Sequence, residues 1–129
     1  MPTRKEFRVS LPHKTGKLAL VCDALSHRGV NIRTIAGIAA AAPVIAIVTE
    51  QDAQTRKVLQ ELDLKFQEVE LLSIKLFNKP GEIANLANKL AEAGVNIESI
   101  YLSAESKGDE GEISFTVDNP KKAREALGL

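Results

Sequence analysis

The chain repeats itself, and the repeat limits what it can fold into. Leu11-Pro12-His13-Lys14-Thr15-Gly16-Lys17-Leu18 returns as Leu76-Phe77-Asn78-Lys79-Pro80-Gly81-Glu82-Ile83. Gly16 and Gly81 are about 65 residues apart, a period too long for a solenoid unit but right for a duplicated small domain. The register then holds: Leu25 matches Leu90, Gly29-Val30-Asn31-Ile32 matches Gly94-Val95-Asn96-Ile97, and Ile35 matches Ile100. Beyond that point the offset grows to about 68, so that Ile45-Ala46-Ile47 falls on Ile113-Ser114-Phe115, and Arg56 and Leu59 on Arg124 and Leu127. The growth places an insertion at residues 105–111, a charged, Gly-containing stretch that reads as a hairpin loop.

Each copy shows one order of elements. Phe7, Val9 and Leu11 alternate, as do Ile74 and Leu76, which predicts a strand. A glycine then opens a helix whose apolar residues (Leu18, Val21, Cys22 and Leu25; Ile83, Leu86, Ala87 and Leu90) share one face. Gly29 and Gly94 stand where a helix terminates in a left-handed residue. Strands follow at residues 30–38 and 95–103, then at residues 44–49 and 112–118. Second helices begin near Asp52 and near Asp118-Asn119-Pro120, both with an N-cap oxygen on offer and, in the second, a proline suited to the first turn. Residues 64–71 read as the last strand of the first copy, and a new strand from about Leu72 begins the second. Alanines 39–42 read as part of a strand pair or a short irregular hairpin, since Pro43 argues against helix.

The expected fold class is therefore α+β: two ferredoxin-like βαββαβ sandwiches in tandem, residues 1–71 and 72–129, the second lacking its last strand. Right-handed crossovers make strands one and two of each copy parallel, with strand three between them.

Charge and aromatics narrow the functions. Seventeen basic residues balance 17 acidic ones, so no global field favours nucleic acid or an anionic membrane. Aromatics are 4% of the chain, too few for a base-stacking platform. The amino end lacks an apolar signal core, and the nearly uncharged stretch at residues 34–48 is too short to span a bilayer. The lone Cys22 forms no internal disulfide and fits a reducing compartment. The expectation is a cytoplasmic protein without nucleic-acid or membrane partners. No Cys-x-x-Cys, Ser–His–acid set or Gly-rich phosphate loop points to an enzyme, so no catalytic residue, metal or cofactor is assigned.

Asn78-Lys79-Pro80-Gly81, the amphipathic helix after it, and Ala93-Gly94-Val95-Asn96-Ile97 resemble the core signature of ACT domains. The resemblance covers nearly the whole chain in two copies, and the whole is similar to small stand-alone tandem ACT proteins without an attached catalytic domain. It implies a non-catalytic regulatory protein that binds a small ligand, an amino acid first of all, at an interface between ACT domains. It also implies a homo-oligomer, a dimer in the simplest case. In amino-acid-binding members of the family, an Asn of the loop and an Asn at the start of strand two contact the ligand, which maps to Asn78 and Asn96. The His that some members carry two residues before the loop Asn is Leu76 here. In the first copy His13 replaces the loop Asn and Thr15 the Pro, while Gly16 and Asn31 are kept.

The chemistry fits these residue types. A carboxamide can meet both the carboxylate and the ammonium of an amino acid. Glycine at positions 16 and 81 leaves the backbone amides of a helix start uncovered for a carboxylate. Because strands one and two are parallel, the loop and strand-two positions fall at opposite ends of one sheet, very roughly 15 Å apart. A single amino acid cannot bridge them, so Asn78 is expected to face Asn31, and His13 to face Asn96. Plainer readings stand beside these. Asn31 and Asn96 can simply finish a helix, Asn78 can be a turn residue, and His13 a surface loop residue. His27 reads as solvated, Cys22 as core, Asp109, Glu110 and Glu112 as a solvated acidic loop, and Lys121, Lys122 and Arg124 as a solvated helix face. A ligand-independent assembly module, joined through paired sheets and an open edge, is the alternative function.

Overall fold

A computed structural model describes residues 4–102 and 109–129. It divides into two compact units, Arg4–Val69 and Glu70–Leu129.

The first unit contains β1 (Arg4–Ser10), α1 (Lys17–His27), β2 (Ile32–Ile38), β3 (Val44–Thr49), α2 (Asp52–Glu61) and the beginning of β4 (Phe66–Phe77). Its strands lie in the order β2-β3-β1-β4. β1 and β2 both pair antiparallel with β3, so they run parallel with β3 between them, as the crossover rule requires. Alternate residues of β1 and β3 point to the helices, and Phe7, Val9, Ile45 and Ile47 join Val21 and Leu25 of α1 and Leu59 of α2 in one core. Leu62, Leu64 and Phe66 close its side, with the Phe7 and Phe66 rings 6.1 Å apart.

The second unit contains the remainder of β4, then α3 (Glu82–Glu92), β5 (Ile97–Leu102), β6 (Glu110–Val117) and α4 (Pro120–Leu127). Its order is β4-β6-β5, both pairs antiparallel. Leu72, Leu86, Leu90, Ile113, Phe115 and Ala123 fill its core. Among the described residues no strand follows α4 in this unit.

Both first helices end alike. Gly29 (φ 70°) and Gly94 (φ 73°) take the left-handed conformation. Val30 N–H donates to Leu25 C=O and Val95 N–H to Leu90 C=O, while the glycine amides donate to Ser26 and Ala91. This is a Schellman termination in both copies, and it places Asn31 and Asn96 directly before the second strand.

Several sequence expectations need adjustment. The two strands expected at residues 64–71 and from Leu72 are one uninterrupted strand, β4; no Gly, Pro, Asn or Asp lies between Phe66 and Phe77. Alanines 39–42 form the irregular hairpin between β2 and β3. The N-cap oxygen expected at the start of α2 is absent: Gln51 caps α2 without a side-chain bond, whereas Asn119 caps α4 by accepting from Lys122 N–H. Arg124 is not simply solvated, because its guanidinium pairs with Glu70. Cys22 is half-buried rather than core, and burial, then the charge of Asp23, pushes its thiol up, the opposite of an activated nucleophile. Residues 105–108 of the expected insertion loop, and residue 103 of the expected strand before it, lie outside the described residues.

Candidate functional site

The loop positions and the strand-two positions lie at opposite ends of each unit. In the first, Ser10, Ile38 and Val44 share one end of the sheet, and Ile32 and Thr49 the other. His13 and Gly16 follow the first end and Asn31 precedes the second, about 20 Å away by strand rise. In the second unit, Asn78 N–H donates to Asp109 C=O at 2.5 Å, while Asn96 stands at the Ile97–Val117 end. Within one unit the two asparagine positions are thus never brought together.

The strand-two asparagines are held locally. Asn31 N–H donates to Gln51 Oε1 at 2.8 Å. Asn96 N–H donates to Asp118 Oδ1, and its carboxamide nitrogen donates to Asp118 Oδ2, each at 3.0 Å. Two N–H bonds to one carboxylate stabilise its charged form. The backbone amide of Asn96 first, and its side chain second, hold Asp118 below the usual carboxylate range. Asn31 and Asn96 therefore tie the start of the second strand to the start of the second helix. The carbonyl oxygen and the second N–H of the Asn96 carboxamide are left for other partners.

The loops are exposed. Gly16 (φ 86°) and Gly81 (φ 92°) hold left-handed conformations at the starts of α1 and α3, and no side chain caps either helix. An added Cβ at either would meet nothing within 4 Å, so the requirement for glycine is conformational rather than steric crowding. The two loops differ in charge. In the second unit Glu82 reaches back, its Oε1 accepting from Phe77 N–H at 3.3 Å. The matching residues of the first unit are Lys17 and Pro12, a cation and a residue with no N–H.

A cavity of about 550 Å³ opens at the loop of the first unit. Its walls are Leu11, Leu18, Ile35, Ile38, Val44 and Ile45, with Gly37 between them, and His13, Lys14, Gly16 and Lys17 at the loop. The volume falls in the range of small-ligand sites. Sequence periodicity put Leu18 on the buried helix face, yet it is 48% exposed, and it lines this opening together with the exposed Ile38. Periodicity named His13 and Gly16 but missed the hairpin side of the cavity. The signal available was Gly37, a glycine inside a strand. His27 is exposed, its Nδ1 2.7 Å from Asp23 C=O. Among the described residues no cluster of His, Cys, Asp or Glu could hold a metal ion, and no helix is long and apolar enough to cross a membrane.

Duplicated ferredoxin-like units, each with a glycine-started first helix that ends in a Schellman turn, define a tandem α+β domain pair. The chain belongs to the ACT domain pair family, whose model matches residues 3–129. Membership places it among regulatory, ligand-binding modules. Solved structures share the fold. Protein BT0572 from Bacteroides thetaiotaomicron superposes with a TM-score of 0.83 at 21% identity, over 98% of this chain and 87% of that one. The ligand-free regulatory subunit of aspartate kinase from Thermus thermophilus gives 0.72 at 19% identity, over 98% and 89%. The corresponding subunit from Thermus flavus gives 0.69 at 16%, over 98% and 91%. No curated protein sequence matches the chain.

Proposed function

We propose that this protein is a non-catalytic regulatory domain pair that binds an amino acid and acts as a homo-oligomer in the cytoplasm. The observation that carries this reading is the cavity at the first-unit loop, with His13 and Gly16 in its wall. It combines apolar walls with a few polar groups at one side, the usual character of a small-molecule site. The roughly 20 Å between loop and strand-two positions within a unit supports a ligand shared between ACT units, with Asn78, Gly81, Asn96 and Asn31 contributing alongside His13 and Gly16. A thermal-shift screen of the full chain against the amino acids tests it. A ligand at about 100 times its dissociation constant stabilises by about 2.7 kcal/mol, a readily measured shift. If no amino acid raises the melting temperature, the reading fails.

One observation favours the second reading, a ligand-independent assembly module. Matched positions of the two copies expose large apolar side chains: Leu18 and Ile83 at the helix starts, and Ile35 and Ile100 on the second strands. Exposed apolar residues on edge strands invite pairing with another chain. Size-exclusion chromatography with light scattering, with and without each amino acid, separates the readings. An oligomer whose mass and melting temperature ignore every ligand supports the assembly module.

A further inference from the structure

The two copies differ at a position of the second strand that, in the first unit, lines the cavity. Gly37 pairs with Ile45. In the second unit Leu102 pairs with Ile113, and Ile100 with Phe115, just as Ile35 pairs with Ile47. Gly37 is thus the counterpart of Leu102. A Cβ built on Gly37 would point at the Ile45 side chain, 3.7 Å from its Cγ1, with no closer neighbour. The backbone at Gly37 has no positive φ, so its glycine is not needed for conformation. What it provides is an absent side chain, bordered by Ile35, Val44 and Ile45 on the strands and Leu18 on α1.

The loop side of the same cavity is cationic. His13, Lys14 and Lys17 line it and no carboxylate does. In the second unit the protein supplies its own carboxylate at the corresponding place, Glu82 on Phe77 N–H; in the first, Lys17 stands at that position. One end is therefore suited to an anion and the other to an aliphatic group. A ligand with a second cation would meet Lys14 and Lys17 with no carboxylate in the lining. One with a polar side chain would lose hydrogen bonds to water against walls that cannot replace them.

We propose that the first-unit cavity takes a small carboxylate with an aliphatic side chain, an amino acid or the corresponding 2-oxo acid, its side chain filling the space that Gly37 leaves vacant. This rests on the ligand-binding reading and adds the chemical class of the ligand and the residue that selects it. The test is calorimetric titration of the full chain with L-leucine, L-isoleucine, L-valine, L-serine, L-aspartate, L-lysine and 4-methyl-2-oxopentanoate. Binding is expected for one or more aliphatic compounds, about tenfold or more tighter than for serine, aspartate or lysine. Leucine against its oxo acid shows which source of the carboxylate is used. Gly37→Leu, which installs the second unit's residue, is expected to weaken that binding about tenfold or more while circular dichroism stays unchanged. Gly37→Ala, whose Cβ makes only ordinary contact, gives an intermediate loss and covers the case in which Gly37→Leu misfolds. Preference for serine, aspartate or lysine would overturn the ligand class but leave amino-acid binding standing. Aliphatic binding unchanged by both substitutions would overturn the location. No binding by any of these compounds would overturn this inference, while amino-acid binding itself stands or falls on the thermal-shift screen of all the amino acids.

Discussion

The two units fill one scaffold with different chemistry. In the first, Thr49 and Thr55 are buried and their hydroxyls lie 2.7 Å apart, with Thr55 Oγ1 also donating to Gln51 C=O. In the second, the same places hold Val117 and Ala123, both buried, so a hydrogen-bonded pair is replaced by an apolar one. Val9 of β1 is fully buried, but its match Ile74 is only half-buried. Leu59 is fully buried in the first core, but its match Leu127 is only partly buried against the second. The difference teaches that duplication preserved positions and backbone turns, while side chains at those positions diverged wherever volume and polarity could be balanced locally.

The largest effects should fall where the copies agree. Leu25 and Leu90 are matched and fully buried, so Leu25→Ala and Leu90→Ala should each cost about 2–5 kcal/mol in urea unfolding. A loss below about 1 kcal/mol at either position would break the equivalence of the cores, since such a site would not behave as a packed leucine.

The hydroxyl pair offers a sharper contrast. Thr55→Ala alone strands the buried Thr49 hydroxyl and should cost about 1–3 kcal/mol. Thr49→Val combined with Thr55→Ala copies the second unit and should be much closer to neutral, because both polar partners are removed. If the double variant is as unstable as the single, hydroxyl pairing is not what distinguishes the units.

Gly16→Ala and Gly81→Ala should each cost about 1–2 kcal/mol, the usual penalty for a side chain in the left-handed region. Equal losses would confirm that both loops need the conformation; a loss at one alone would show that the other loop can relax.

The smallest effect is with pH. The folded-state pKa of Asp118 is depressed by Asn96. Its contribution to stability is present above the unfolded value, near 3.9, and is lost as pH falls through the folded value. The matching acceptor in the first unit is the Gln51 carboxamide, which does not titrate. Hydrogen exchange of the Asn96 amide should therefore lose protection on acidification below about pH 4 relative to that of Asn31. Parallel behaviour of the two amides would count against the carboxylate clamp.

Much of the fold was legible because it rests on local signals. The glycines at 16, 29, 81 and 94 mark left-handed backbone that other residues adopt poorly, and apolar periods of two and near 3.6 mark strands and helices. His13 and Gly16 were found by the repeat, and the cavity they border was not. β4 was divided at the copy boundary although no Gly, Pro, Asn or Asp interrupts it, because the repeat suggested a break that the backbone does not make.

The sequence by itself determined the duplication, the order of elements in each copy, and the separation of loop and strand-two positions to opposite ends of a unit. These follow from periodicity, turn chemistry and strand direction, which act over a few residues. Only the tertiary structure decided that Asn96 is clamped by Asp118, that Leu18 borders an opening rather than the core, and that a missing side chain at Gly37 faces Ile45. Those facts depend on strand register and on which side chain stands across from which, and no local pattern encodes them.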